Sequence, residues 1–411
     1  MQEPLYQSAL KWLIIALLIG STVGSCAAFF LFTLDWVTNY RVAHNWLIAF
    51  LPLGGLLIGW IYHRWGSQVV KGNNLLIENY HQPENSIPFR MAPMVYVGTI
   101  ITHLFGGSAG REGTAIQMGG AIADRFTQLF KLTPLERRPI IIMGISAGFA
   151  GVFGTPIAAA IFALEMLILH PKKYVLLIPG LLASFVAHIT CNLWNVSHTQ
   201  YEVNVVPDIT ISLIGWCVLV GILFGLAAWL FIKLTKFWSK IFHQLISFPP
   251  LRPTMGGVII AIAVWLLGTD KYLGLGIPTI VSAFSVPMLN EDFLLKILFT
   301  SFTIGAGFKG GEVTPLFFIG ATLGNILVWF VPLPMALLAA MGFVAVFAGA
   351  SHTPITSAIM GMELFGVTGG VYIAIACACA YMFSGNKSIY ESQPSYGLKQ
   401  LLFKKVKSYF V

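Results

Sequence analysis

The sequence predicts an all-α polytopic membrane protein made of two repeated halves, in which broken helices converge near the bilayer midplane. Three observations carry this. The 411 residues are 57% hydrophobic and only 10% charged, with a mean hydropathy of +0.80, too little charge to cover the surface of a soluble domain. Several uncharged runs exceed the roughly 20 residues a helix needs to cross the hydrocarbon core. A stretch of the first half recurs in the second, with its helix breaks in register.

The first apolar run, Trp12 to Leu34, is too long for the apolar core of a signal peptide and no small-residue cleavage site follows it, so it reads as the first membrane helix. Pro139 to Leu164 and Ile209 to Ile232 are likewise uncharged. Between apolar runs lie short basic clusters: Arg137-Arg138, Lys172-Lys173, Lys233/Lys236/Lys240 and Lys404-Lys405/Lys407. They account for the net charge of +8 as a positive-inside pattern rather than a nucleic-acid footprint, and place the C-terminus in the cytoplasm. The five cysteines, Cys26, Cys191, Cys217, Cys377 and Cys379, lie mostly in apolar segments and read as small packing residues, without disulfide or metal spacing. Asn195-Val196-Ser197 is a formal glycosylation sequon of little weight.

Residues 143–165, MGISAGFAGVFGTPIAAAIFALE, align without gaps to residues 341–363, MGFVAVFAGASHTPITSAIMGME, and agree at 12 of 23 positions. The shared Thr-Pro-Ile and the closing pair Glu165 and Glu363 are the informative matches, since small apolar residues coincide by composition alone. The first repeat is read as about 12–191 and the second as about 207–390, within one transmembrane domain over 1–411. After Tyr390 only a short tail remains, so no soluble regulatory domain is expected there.

Glycine-led breaks precede apolar runs at GNNLL (72–76), GREGT (110–114) and GEVTP (311–315). Each can start a helix inside the membrane, leaving free backbone N–H groups and the positive end of a helix dipole. Several such ends converging would bind an anion without a buried cation. Pro315 suits a first helical turn, where its missing N–H costs nothing. Between residues 91 and 123 the only charges are Arg111 and Glu112, and between 310 and 386 they are Glu312 and Glu363. Acids so isolated in apolar sequence mark ion or proton paths. For Glu112 the competing reading is a local ion pair or cap; for Glu312 it is an ion pair with Lys309. No His/Cys/carboxylate cluster has metal-ligand spacing, and no cofactor is implied.

These motifs, with Gly385-Asn386-Lys387-Ser388-Ile389-Tyr390, occur in the order seen in CLC anion channels and transporters, and the resemblance spans nearly the whole chain. It implies a homodimer in which each subunit holds its own pore between two inverted halves, with the broken helices aimed at a midplane anion site. By the same resemblance, Glu112 falls on the gating glutamate, which occupies an anion site as a carboxylate and swings away once protonated. The amides around Arg111 and Gly113 would line the outer site. Those of Glu312 and Val313, with the Tyr390 hydroxyl, would line the central one. Asn73 falls where chloride-transporting members place a serine.

The departures from the common pattern narrow the reading. The first break is Gly-Asn-Asn-Leu-Leu instead of Gly-Ser-Gly-Ile-Pro, the second ends in Thr114 instead of Pro, and Glu312 and Val313 replace an apolar residue and a Phe. Met166 stands where many chloride/proton exchangers carry an inner proton-accepting glutamate. Together these resemble the fluoride-exporting clade, whose third motif holds an acid and a threonine, here Glu312 and Thr314. Fluoride is small and tightly hydrated, so its site must replace strong water hydrogen bonds; the Asn73 amide and the Thr314 hydroxyl supply donors.

The expectation is an inner-membrane, multi-pass fluoride/proton antiporter, with Glu112 as gate and proton carrier and Glu312 as a second, coupling carboxylate. Asn73, Arg111, Gly113, Val313, Thr314 and Tyr390 would form the anion-binding set. The nearest rival is a chloride/proton exchanger or chloride channel of the same architecture. An intramembrane enzyme using Glu112 and Glu312 as an acid pair lacks a nucleophile–base set, so no enzyme is expected. A transporter for an organic anion is disfavoured by the motif order. Glu165 and Glu363 are read as structural groups satisfying backbone at the breaks. His103 and His352 are read as packing histidines, and the closely spaced Cys377 and Cys379 as close helix packing.

Overall fold

The computed structural model describes residues 5–167 and 176–394. The Lys172-Lys173 and Lys404-Lys405/Lys407 clusters lie outside the described residues. The first eight helices are α1 (Leu5–Ala43), α2 (Leu51–Trp65), α3 (Asn73–His81), α4 (Met91–Leu104), α5 (Glu112–Leu129), α6 (Arg137–Phe153), α7 (Pro156–Leu167) and α8 (Leu177–Leu193). The next eight repeat the pattern of one long helix followed by seven shorter ones: α9 (Ile211–Leu245), α10 (Leu251–Leu267), α11 (Ile277–Ser282), α12 (Asp292–Gly305), α13 (Val313–Ile326), α14 (Met335–Ser351), α15 (Pro354–Phe365) and α16 (Gly370–Phe383). Among the described residues, Ala9–Ala43, Asn45–Trp65 and Ile211–Leu245 are long and apolar enough to cross a membrane singly. The other helices are shorter, as broken crossings require.

The repeat read from sequence is carried by equivalent contacts. A side chain at Gly119 of α5 would overlap the carbonyl oxygen of Gly144 on α6, and one at Gly320 of α13 would overlap that of Gly342 on α14. Both crossings bring backbones into contact, which only glycine permits and which drives helix association where lipid removes the hydrophobic term. The uncharged run from Pro139 to Leu164 is two helices rather than one crossing, because α6 ends at Gly154 in the left-handed conformation (φ 73°) and Pro156 opens α7. At the repeat-related position α14 ends at His352, also left-handed (φ 58°), and Pro354 opens α15.

The two halves cap each other. Glu165, on α7, accepts from the first amides of α15, Ile355 N (3.1 Å) and Thr356 N (2.7 Å). Glu363, on α15, accepts from those of α7, Ile157 N (3.0 Å) and Ala158 N (2.8 Å). Each carboxylate thus answers the free donors and positive dipole end of the opposite helix. The exchange is two-fold in character and explains why both acids persist in apolar sequence.

Arg137 is not simply a charge at the membrane surface. It is buried and paired with Asp124, and its guanidinium also donates to Pro83 O (2.9 Å) and Asn79 Oδ1 (3.2 Å). Asp124 in turn accepts from Ile87 N at 2.8 Å. This network fixes α3 and the chain after it against α5 and α6, and so sets the position of Asn73 at the head of α3. All five cysteines are free.

Glu165→Ala leaves two amides of α15 without an acceptor. It is expected to lower stability by about 1–3 kcal/mol, with Glu363→Ala giving a similar loss. Thermal unfolding in detergent checks this, and variants as stable as the parent would deny the caps a supporting role.

Candidate functional site

The three glycine-led breaks each start a helix. Gly72 (φ 57°) precedes Asn73 on α3, Arg111 precedes Glu112 on α5, and Glu312 precedes Val313 on α13. What brings two of them together is a backbone pair: Gly110 N donates to Gly311 O (2.5 Å) and Gly311 N donates to Gly110 O (2.7 Å). A Cβ on Gly311 would stand 2.7 Å from Gly113 N, so glycine alone allows this approach. The N-termini of α5 and α13 therefore meet head to head.

Glu112 lies between them, fully buried. Its carboxylate accepts from Thr314 N (3.0 Å), Thr314 Oγ1 (2.5 Å) and Arg111 N (3.2 Å), with Arg111 Nε 3.5 Å from Oε1. The expected ion pair with Arg111 exists, yet the main donors belong to the other half of the protein. The carboxylate thus occupies the free donors at the start of α13. Thr114 faces elsewhere: its hydroxyl bonds to Thr99 Oγ1 at 2.7 Å, which joins α5 to α4.

Glu312 faces a different space. It lines a cavity of about 180 Å³ together with Asn73, Gln117, Lys309, Tyr62 and Tyr390. Among the described residues, the Tyr390 hydroxyl and Asn73 Oδ1 are buried there without a hydrogen-bond partner, polar groups of the kind that a ligand satisfies. Asn73 Nδ2 lies 3.2 Å from where a Cβ of Gly113 would stand, so this amide reaches the first turn of α5. Lys309 forms no ion pair with Glu312 among the described residues; its ammonium stands 4.2 Å over the Tyr62 ring. Val313 is fully buried as the first residue of α13.

On the other side of Glu112 a gap of about 20 Å³ is lined by Arg111, Glu112, Thr314, Phe153, Tyr201 and Phe317. Beyond it opens a vestibule of about 720 Å³, also lined by Arg111 and by His198 and Lys271. Phe317 stacks on Phe343 with ring centroids 4.0 Å apart, and Phe153 packs at 5.3 Å, an aromatic collar around the gap. The structure thus separates the two acids: Glu112, Arg111 and Thr314 gather at the gap, whereas Asn73, Glu312 and Tyr390 gather in the inner cavity. Gly113 lies against Gly311 and the Asn73 amide. Sequence reading missed Gln117, Tyr62 and Tyr201. Gln117 had a usable signal, as an amide one turn beyond Gly113 in an otherwise apolar run.

A family profile described as "Voltage gated chloride channel" matches residues 54–385. The chain is 48% identical over 389 residues to a "Chloride/fluoride channel protein" of Pseudomonas syringae pv. tomato, covering 93% of this chain and 86% of that one. It is 26% identical to an "H(+)/Cl(-) exchange transporter ClcA" of Cronobacter sakazakii, covering 87% and 83%. Among solved structures, a CLC-type fluoride/proton antiporter superposes with a TM-score of 0.92 at 35% identity, over 96% of this chain and all (100%) of the other. A slow cyanobacterial Cl⁻/H⁺ antiporter matches in fold, with a TM-score of 0.77 at 20% identity.

Thr314→Val deletes the hydroxyl donor at the head of α13 while keeping shape. An interaction of this charged type contributes about 1.5–3 kcal/mol, so an anion using it should bind roughly ten-fold more weakly or worse. The anion dependence of flux in liposomes measures this; unchanged half-saturation would remove Thr314 from the site.

Proposed function

The chain belongs to the CLC family of anion channels and transporters, and we propose that within it this protein is a fluoride/proton antiporter that expels fluoride using inward proton movement. The observation that carries the reading is the Glu112 carboxylate seated on the Thr314 amide and hydroxyl. The same donors cannot hold a carboxylate and a free anion at once. Protonation from the vestibule weakens the charge-assisted bonds that hold Glu112, releases the side chain and frees the donors for fluoride. Deprotonation reverses this. Anion and proton then move by exchange at one place.

In this reading fluoride is held by the backbone amides of Val313 and Thr314, the Thr314 hydroxyl, and the Asn73 and Tyr390 groups of the inner cavity. The amides of Arg111 and Gly113 serve its outer passage. Glu312 is the coupling carboxylate on the inner side. Support for fluoride comes from the 35% identical antiporter, the 48% identical chloride/fluoride relative, and the acid and threonine at Glu312 and Thr314. A chloride/proton exchanger or chloride channel is the alternative, supported by the word chloride in the name of the 48% identical relative and by the exchanger at 26% identity. No cofactor or enzymatic step enters this cycle.

The working unit is proposed to be a homodimer of single-domain subunits in the cell inner membrane, with repeats at about 12–191 and 207–390 and a cytoplasmic C-terminus. Ile178, Phe185 and Ile189 are exposed along α8, and Ile157 and Ile355 at the heads of α7 and α15, an apolar face suited to a second copy.

Purified protein in liposomes, with electrodes for fluoride and chloride and a pH probe, tests the reading. Fluoride efflux should far exceed chloride efflux, and a fluoride gradient should drive protons uphill; equal rates for both anions, or fluoride flux without proton movement, would overturn it. Glu112→Gln should leave no proton coupling, and retained coupling would remove Glu112 from its role. Glu312→Gln should reduce coupled transport at least ten-fold, whereas full coupled activity would reduce Glu312 to a structural group.

A further inference from the structure

We infer that the protein carries a binding site for the phosphate of an anionic phospholipid at the end of α9, separate from the two cavities flanking Glu112. A cavity of about 730 Å³ lies between the last turns of α9 and the segment after α16, and is lined by Lys233, Lys236, Lys240 and Lys387. None of these has a place in the exchange reaction.

The placement of the lysines along α9 is the first ground. Leu219, Leu226, Lys233 and Lys240 recur every seven residues, two turns apart on one face of the helix, and all four are exposed. The stripe therefore changes from leucine to lysine along its length, as a helix does on passing from hydrocarbon to headgroups. Trp229, also exposed, stands at the change, in the position where indole rings settle at membrane interfaces. The helix has 35 residues, about 52 Å at 1.5 Å per residue against a hydrocarbon core of about 30 Å, so its end must leave the core.

Charge is the second ground. The only carboxylate paired with the four lysines among the described residues is Glu391, whose Oε1 is 3.2 Å from Lys236 Nζ. Lys233 Nζ stands 5.8 Å over the Trp229 ring. Lys240 and Lys387 have no carboxylate partner among the described residues. With Lys236 answered by Glu391, three ammonium groups without a carboxylate partner among the described residues remain around one cavity and repel each other, and a phosphate between them removes that repulsion while accepting their N–H donors.

The walls choose the source. Beside the lysines, the cavity is formed by Trp229, Ile232 and Phe237, and Phe237 and Trp229 are exposed on the helix surface. Apolar walls give a free phosphate ion nothing in return for lost hydration, but they match the glycerol and first methylenes of a lipid. The site also touches the transport machinery at one remove: Lys387 precedes Ser388, whose hydroxyl accepts from Tyr390 N (3.0 Å), and Ile389 N is bonded to Ala350 O (2.9 Å). A headgroup held by Lys387 braces the segment that carries Tyr390.

The test uses the full-length protein purified in detergent and exposed to equimolar phosphatidylglycerol and phosphatidylcholine, with retained lipid counted by native mass spectrometry. The protein should retain phosphatidylglycerol preferentially. The double variant Lys240→Gln/Lys387→Gln should lose at least five-fold of that retention, and Lys240→Arg/Lys387→Arg should keep it. An unchanged thermal unfolding midpoint would show that the glutamine variant is folded; if it is not, the single variant Lys240→Gln, with a smaller loss of retention, stands in its place. Equal retention of phosphatidylglycerol by parent and glutamine variants would overturn the site. Inorganic phosphate that displaces the lipid while sulfate of equal ionic strength does not would assign the lysines to a free anion and overturn the lipid.

Discussion

Everything at the centre of this molecule depends on the two hydrogen bonds between Gly110 and Gly311. They hold the N-termini of α5 and α13 against each other, although both ends carry partial positive charge and repel. The Glu112 carboxylate offsets that repulsion by accepting from Arg111 N of its own half and from Thr314 of the other. The site is therefore least stable when it holds no anion at all. Under the proposed function, removing the carboxylate calls for a replacement anion, and this requirement ties the protonation and release of Glu112 to the passage of fluoride.

Such an arrangement is only useful if the two helix ends cannot drift apart. The fold secures them from behind, through the glycine crossings of α5 on α6 and α13 on α14 and through the exchanged caps of Glu165 and Glu363. Both devices come in pairs because the repeat supplies each twice. Each half leaves helix ends unsatisfied and the other half supplies the acceptor, so neither is complete alone.

Much of this was legible from the chain. Glycine before an apolar run, with an acid or asparagine beside it, located all three helix starts, because a helix broken inside a membrane needs a residue without a side chain at the turn and free amides after it. The Thr-Pro-Ile match revealed the repeat, and the isolation of Glu112 and Glu312 marked both acids. What could not be read was partnership between helices. Nothing local says that Thr314 would hold Glu112, that Lys309 would rest on Tyr62 instead of pairing with Glu312, or that Thr114 would turn to Thr99. Those contacts depend on how α5, α13 and α4 are aimed, which is fixed by packing between helices, across 15 residues for Thr99 and Thr114 and across 202 for Glu112 and Thr314. Arg137 misled for a related reason. In sequence it belongs to a basic pair at a loop, but in space it finds Asp124 and becomes part of the interior.

The separation of the two acids bears on how protons would reach Glu112 from the inner side. Met166, which stands where exchangers of the common pattern carry an acid, is fully buried and has no titratable group to offer. The charged groups lining the inner cavity are Glu312, Lys309 and Lys71, and of these Glu312 alone is a carboxylate. It sits one residue before the amides of α13 that the anion would use, beside the Tyr390 hydroxyl and the Asn73 amide. Under the proposed function, proton and fluoride therefore share one inner cavity instead of diverging along separate routes. A shared cavity links the two occupancies, because a fluoride held on the α13 amides would lie against Glu312 and disfavour its ionised form, while an ionised Glu312 would repel the incoming anion. Protonation of Glu312 and entry of fluoride then assist each other, so the proton load of the inner cavity and its anion occupancy rise and fall together.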